Sequence, residues 1–236
     1  ETYLGDAVGI PVTIINGHEP GPVACLTAAS HGDELNGIEE VRTVAQEWSH
    51  DELRGTIICL PVLNVPGFLA QERYLPIIDR DLNRSFPGKA EGTSAQRIAK
   101  RVFDNFVEPA DILLDFHTST RGRNNMLHVL ADLDQSGVSR LAQSFASHLI
   151  IDGAGPEGSL RREAHHHDLA AIAVEMGEAH RFQRPMINQA LRGVKSVFAE
   201  YGLHDPSSVE WPGWRTIIDA DQRKTWIRAD AGGIVD

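Results

Sequence analysis

A chain of 236 residues with 42% apolar and 23% charged residues can bury one substantial core and begin a second domain. Its net charge of −11 argues against a nucleic-acid partner, which calls for a basic footprint. No apolar run approaches the ~20 residues that span a bilayer, no basic cluster suits a membrane surface, and the N-terminus lacks a signal pattern. The first residue is Glu1 rather than Met, so the true start is expected to lie further upstream. Cys25 and Cys59 sit in apolar runs without CxxC spacing and read as reduced core thiols, which fits a cytoplasmic protein.

In chain order, residues 10–15 read as a strand, followed by a Pro/Gly turn at 18–22 and a second, apolar strand over 23–29. Asn36 looks like a helix N-cap with Glu39 as its capping-box partner, opening a helix to about Trp48 with Ile38, Val41 and Val44 on its apolar face. Residues 55–63 form a third strand. The stretch 64–86 is long and irregular, which in a compact domain points to function. A helix over 94–106 leads to a strand over 111–116. Residues 126–130 are strand-like, 139–148 helical, and 160–168 a short helix; 170–174 form a buried strand and 184–201 a helix. Strands alternating with helices predict an α/β fold: a mixed, mostly parallel sheet flanked by helices. After Gly202 the texture changes, and 214–218 and 225–229 suggest a small β unit. The predicted division is a catalytic domain over 1–203 and the beginning of a C-terminal β domain over 204–236.

Three polar groups follow apolar runs. His31 and Glu34 come after the second strand, His117 after 111–116, and Glu175 after 171–174. In an open parallel sheet such strand ends face one crevice. Two imidazoles, one ligand carboxylate and one spare carboxylate are what an open, hydrolytic zinc site needs, with one position kept for water. The loop adds Arg73 and the run from Asp79 to Gly88, in which Asn83 and Arg84 are adjacent donors suited to a carboxylate. The run His165-His166-His167 is a poor metal site, because neighbouring helical positions point in different directions.

Five motifs then occur in order: His31-Gly-Asp-Glu34, Asn64-Val-Pro-Gly67-Phe68, Asp81-Leu-Asn83-Arg84-Ser-Phe-Pro-Gly88, Asp115-Phe-His117-Thr and Glu175-Met-Gly177. Together they resemble the succinylglutamate desuccinylase/aspartoacylase family, relatives of carboxypeptidase A-type zinc peptidases, over about residues 20–202. The resemblance implies one Zn²⁺ per chain held by His31, Glu34 and His117, with Glu175 as general base and acid. It implies that Asn83 and Arg84 bind a substrate carboxylate, that Arg73 polarises the scissile carbonyl, and that Asp81 accepts a hydrogen bond from a ligand histidine. The expected activity is hydrolysis of the amide bond of a small N-acyl amino acid, with metal-bound water as nucleophile. Neither nucleic acid nor membrane is an expected partner, and homo-oligomerisation is left open.

The family's arginine for a second substrate carboxylate falls near His165 here, with Arg161 and Arg162 a turn earlier, which argues for a monocarboxylate such as an N-acetylated diamino acid. The family's C-terminal domain is longer, so the chain is expected to be cut short. Two alternatives stand beside this reading: a zinc carboxypeptidase acting on peptide C-termini, and a non-catalytic zinc protein that binds carboxylates.

Overall fold

The computed structural model describes residues 8–76, 79–205, 215–222 and 225. Its centre is a mixed sheet of eight strands in the order β1-β3-β2-β4-β7-β5-β6-β8. These strands are β1 (Thr13–Asn16), β2 (Glu19–Ala28), β3 (Arg54–Leu60), β4 (Ile112–Ser119), β5 (Asn125–Ala131), β6 (Leu149–Asp152), β7 (Ala170–Glu178) and β8 (Thr216–Ile218). The inner four, β3, β2, β4 and β7, run parallel; β1 and β5 pair antiparallel at either side.

Side chains of the central strands alternate between two apolar layers, as a pleat requires. On β4, Ile112, Leu114 and Phe116 join the layer beneath α1 (Asn36–Glu47), α4 (Val138–Ser144) and α6 (Arg184–Glu200). Leu113 joins the opposite layer, with α3 (Ser94–Val102) and α5 (Leu160–His166). The α/β sheet covered by helices on both faces is therefore as the sequence predicts. Cys25 and Cys59 are buried free thiols in opposite layers, and burial pushes the Cys59 thiol up to about 12.

Several elements differ from the sequence reading. β2 begins at Glu19, inside the predicted turn, because Glu19 pairs with Arg54 before a register shift to Val23. The capping box at Asn36 and Glu39 is absent. Leu35 is the N-cap and caps with no side chain, since the Asn36 amide is drawn away to Met176 O and to Gln183. The irregular stretch 64–86 contains α2 (Val65–Ala70), capped by Asn64 Oδ1 accepting from Gly67 N at 2.9 Å, and a short 3₁₀ turn, Leu82–Arg84. The helix read over 139–148 stops at Ser144, and after four intervening residues the chain enters β6, a strand too short to carry a pattern. Residues 216–218 of the predicted C-terminal β unit form β8, parallel to β6; most of the strand read over 225–229 lies outside the described residues.

One buried group has no structural compensation. Glu40 on α1 is fully buried, and neither carboxylate oxygen has a hydrogen-bond partner among the described residues. Burial holds its carboxyl well above the usual range, so the acid stays protonated in the folded state. The folded state then binds a proton that the unfolded state releases above about pH 4.5, and stability falls as pH rises past that value. Glu40→Met is expected to raise stability by about 1–3 kcal/mol at pH 8 and by less at pH 5. Urea denaturation at the two pH values checks this; equal stability of variant and parent at pH 8 would refute it.

Candidate active site

The site is built where β2, β4 and β7 end. Ala29, in the left-handed region at φ 51, turns the chain out of β2 into the loop that bears His31 and Glu34. A non-glycine residue there is strained, a feature that clusters at functional sites. Gly32 is needed in this loop for close approach: a Cβ would collide with the backbone of Gly67, Phe68 and Glu72, where α2 packs against it. Gly32 N and Asn64 Nδ2 both donate to Arg73 O, which brings Arg73 over the same loop.

His31, Glu34 and His117 are all buried, and one ligand atom from each lies within 4.8 Å of the others. Both imidazoles turn Nδ1 toward the glutamate. His31 Nδ1 is 2.8 Å from Glu34 Oε1, and His117 Nδ1 is 3.0 Å from Glu34 Oε2. Both turn Nε2 toward an aspartate: His31 to Asp81 Oδ1 at 3.1 Å, His117 to Asp115 Oδ2 at 2.8 Å. An aspartate on Nε2 fixes the proton there and frees the Nδ1 lone pair, the outer-sphere pattern of metal-binding histidines. Asp115 is itself held by Thr27 Oγ1 at 2.7 Å.

These residues fit a divalent cation. The set of two imidazole nitrogens and a carboxylate suits Zn²⁺. His31 Nδ1 is buried and makes no properly directed hydrogen bond, despite its closeness to Glu34. The electrostatics agree. His117 has its pKa held well above the imidazole range and His31 is also raised, in each case because carboxylate attraction outweighs burial. Glu34 is lowered, because the two imidazoles outweigh its desolvation. Without a metal, protons on the rings supply the positive charge that the acidic cluster demands.

Glu175 lies one strand away. In the β4–β7 ladder His117 and Glu175 are direct partners, so both side chains leave the same face of the sheet. Desolvation pushes the Glu175 carboxyl up to about 7, with Glu34 adding to the rise and His117 opposing it. Asn125 Nδ2 donates to Glu175 Oε2 at 3.0 Å.

Arg73 donates to Glu34 Oε1 at 2.7 Å, so the structure puts it directly beside the His/Glu group. Asn83 is buried; its Oδ1 accepts from Leu160 N at 2.8 Å, and its Nδ2 sits 3.4 Å from His117 Nε2. Arg84 is exposed, donates to Asn83 O at 2.6 Å, and lies 3.9 Å from Asp81 Oδ2. All seven sequence-predicted site residues thus belong to one neighbourhood. The three consecutive histidines do not: His165 Nε2 donates to Ala171 O, His166 contacts Glu163, and His167 contacts Glu108.

With this geometry in hand, the succinylglutamate desuccinylase/aspartoacylase catalytic domain matches residues 20–201. The chain belongs to this family. Among relatives of this desuccinylase/aspartoacylase chain, a curated N-alpha-acetyl-L-2,4-diaminobutyric acid deacetylase of Halomonas elongata is 28% identical over 240 residues, covering 98% of this chain and 69% of the relative. A product-bound structure of the ectoine utilization protein EutE (DoeB) from Ruegeria pomeroyi aligns with a TM-score of 0.79 at 25% identity, over 90% of this chain and 65% of that one. The succinylglutamate desuccinylase/aspartoacylase structure from Rhodobacter sphaeroides aligns with a TM-score of 0.77 at 24% identity, over 85% of this chain and 61% of that one. The chain therefore spans less than two thirds of the length of these solved relatives.

The sequence reading of this family member gave no role to two groups, one of them, Asp115, quoted within a motif. Asp115 stands two residues before His117 on one strand, and that period-two spacing could have marked it as the histidine's partner. Asn125 carries no comparable signal, because a strand irregularity decides which way it points.

Proposed function

We propose that this protein is a zinc-dependent amidohydrolase that cleaves the amide bond of a small N-acyl amino acid, giving a carboxylic acid and a free amino acid. The observation that carries this reading is the convergence of His31, Glu34 and His117 beside Glu175, its partner in register. The Halomonas elongata relative, named as a deacetylase of an N-acetylated diamino acid, supports the reaction class. We propose residues 1–203 as the hydrolase unit and 204–236 as the opening of a further β unit, whose strand β8 extends the central sheet beside β6.

His31 and His117 through Nδ1, and Glu34 through its carboxylate, would hold the ion. A zinc ion bound there supplies Lewis acidity and lowers the pKa of a bound water from ~16 to about 7. Glu175 takes the proton from the attacking water and returns it to the nitrogen of the leaving amine. Without the ion, desolvation pushes its carboxyl up to about 7; a bound cation draws it back toward the carboxylate that accepts the proton. Arg73 stabilises negative charge developing on the carbonyl oxygen; one such donor is worth about 3–4 kcal/mol of barrier. Arg84 and the Asn83 amide anchor the substrate carboxylate, with the guanidinium able to grip both its oxygens.

A single substrate carboxylate is favoured. At the position of the family's second carboxylate-binding arginine, His165 is buried with Nε2 on Ala171 O. The guanidinium groups of Arg161 and Arg162 turn to the carbonyls of Gly153 and Gly155.

The deciding experiment is hydrolysis of a panel of substrates by the zinc-loaded protein. N-α-acetyl-L-2,4-diaminobutyrate and other N-acetylated monocarboxylates are expected to be cleaved faster than N-acetylaspartate. Cleavage of peptide C-termini in preference to every N-acyl amino acid would move the protein to the carboxypeptidases. Tight binding of these compounds without turnover would make it a carboxylate-binding protein.

A further inference from the structure

Glu175 is held by a side chain that a regular strand would have turned away from it. Asn125 pairs with Gly177 across the β5–β7 ladder, and His128 pairs with Glu175. Three residues of β5 thus span two of β7, which is a β-bulge between Asn125 and His128. Side chains alternate faces along a strand, so in a regular strand Asn125, three residues before His128, would lie on the opposite side. The bulge brings both to the face that carries Glu175, and Asn125 Nδ2 reaches Glu175 Oε2 at 3.0 Å.

The turn before β5 is tied to the end of β7 and to the metal loop's helix. Gly122 N donates to Glu178 Oε1 at 3.0 Å. Gln183 Nε2 lies 3.4 Å from Asn124 Oδ1, while its Oε1 accepts from Glu178 N at 2.7 Å and from Asn36 Nδ2 at 3.1 Å. Asn36 is fully buried at the start of α1; its Oδ1 accepts from Gln183 N at 2.8 Å, and its Nδ2 also donates to Met176 O at 3.1 Å. These amides leave no space for a side chain at position 177. Gly177, at φ 71, is the residue that fits, since a Cβ there would run into Gln183 Oε1 and Asn36 Nδ2.

We propose that Asn125 is the positioning residue for Glu175: it holds the carboxylate in one rotamer, and the Asn36–Gln183 amide pair locks the turn that presents it. The inference rests on reading Glu175 as the general base. A carboxylate on a free rotor must be recaptured at each turnover, whereas one fixed by a donor that is itself fixed is already in place.

The test uses the full zinc-loaded chain with N-α-acetyl-L-2,4-diaminobutyrate, and compares wild type with Asn125→Ala, Asn125→Asp and Asn125→Ser. Asn125→Ala is expected to lower kcat about 10–100-fold with KM within about twofold and full zinc content, the signature of a misplaced group rather than a lost binding contact. Asn125→Asp, equal in size but unable to donate and charged, should lose at least as much. Asn125→Ser, which retains an O–H donor, should recover part of the loss. Should Asn125→Ala fail to fold, the near-isosteric Asp variant reads the same quantity. Crystal structures of wild type and Asn125→Ala give a readout free of turnover: the Glu175 rotamer is expected to change. An Asn125→Ala enzyme with kcat within twofold of wild type, while Glu175→Gln is inactive, overturns the positioning role and leaves the base assignment intact. If Glu175→Gln stays active, the base assignment itself falls. An unchanged Glu175 rotamer overturns the positioning role whatever the substrate proves to be.

Discussion

Glu175→Gln is expected to keep its zinc and lose turnover by about 10²–10⁴-fold, the usual worth of a general base. The substitution is conservative in shape. Its amide oxygen can still accept from Asn125 Nδ2, and it removes the one atom pair able to take a proton from water. The pH profile follows from the same group. Its carboxyl stands at about 7 without a metal, raised mainly by desolvation. The active form is the carboxylate, so kcat/KM should fall as pH drops through its value. A bound cation favours the carboxylate and moves that acid limb below 7.

Stability changes in the opposite direction. An unfolded glutamate titrates near 4.5, so between 4.5 and about 7 the folded protein binds the extra proton. Metal-free wild type therefore loses stability as pH rises through that window, and Glu175→Gln should be more stable than wild type above it. Glu175 is partly exposed, so the gain is on the order of 1 kcal/mol rather than the full linkage value. Steady-state kinetics with elemental analysis, together with thermal melts of the metal-free proteins at pH 5 and 8, measure both effects. Unchanged kcat in the variant would remove Glu175 from the mechanism.

How much of this was legible in the sequence depends on how local each signal is. The inner strands could be read because both faces are buried, and residues such as Ile112 to Leu114 form continuous apolar runs. His31 with Glu34, and Glu175 with Gly177, stood out because each follows an apolar run, but it was the ordered motifs of the family resemblance, not the runs, that gave them roles. Asn36 misled, because its local pattern matches a helix cap while its amide serves Met176 and Gln183, some 140 residues away. The strand β6 was hidden because its four residues, Leu149–Asp152, carry too little pattern to set against the helix before them. The Asn125 contact was hidden for a different reason. Local composition does not report a bulge, and one extra residue reverses the face of everything before it. The missed features are those fixed by tertiary contacts, and the features read correctly are those fixed by burial.

The second large effect is on metal content. His117→Ala is expected to abolish stoichiometric zinc, weakening binding by at least about a thousandfold, since two ligands and an imbalance of charge remain. The variant leaves Asp115 Oδ2 without its donor, although Thr27 Oγ1 still serves Oδ1. A stability cost of about 1–3 kcal/mol accompanies that loss, and circular dichroism separates it from unfolding. His117→Gln, which keeps a polar side chain, should fold and still lose the ion. Wild-type binding should in turn release protons, because both imidazoles are raised toward the charged form and must give up Nδ1 protons to become ligands. Affinity then falls steeply with falling pH, and calorimetry in buffers of different ionisation enthalpy counts the protons. Full zinc content in His117→Ala, by elemental analysis after dialysis, would refute the ligand set, and with it the hydrolytic reading that depends on an ion held between β2 and β4.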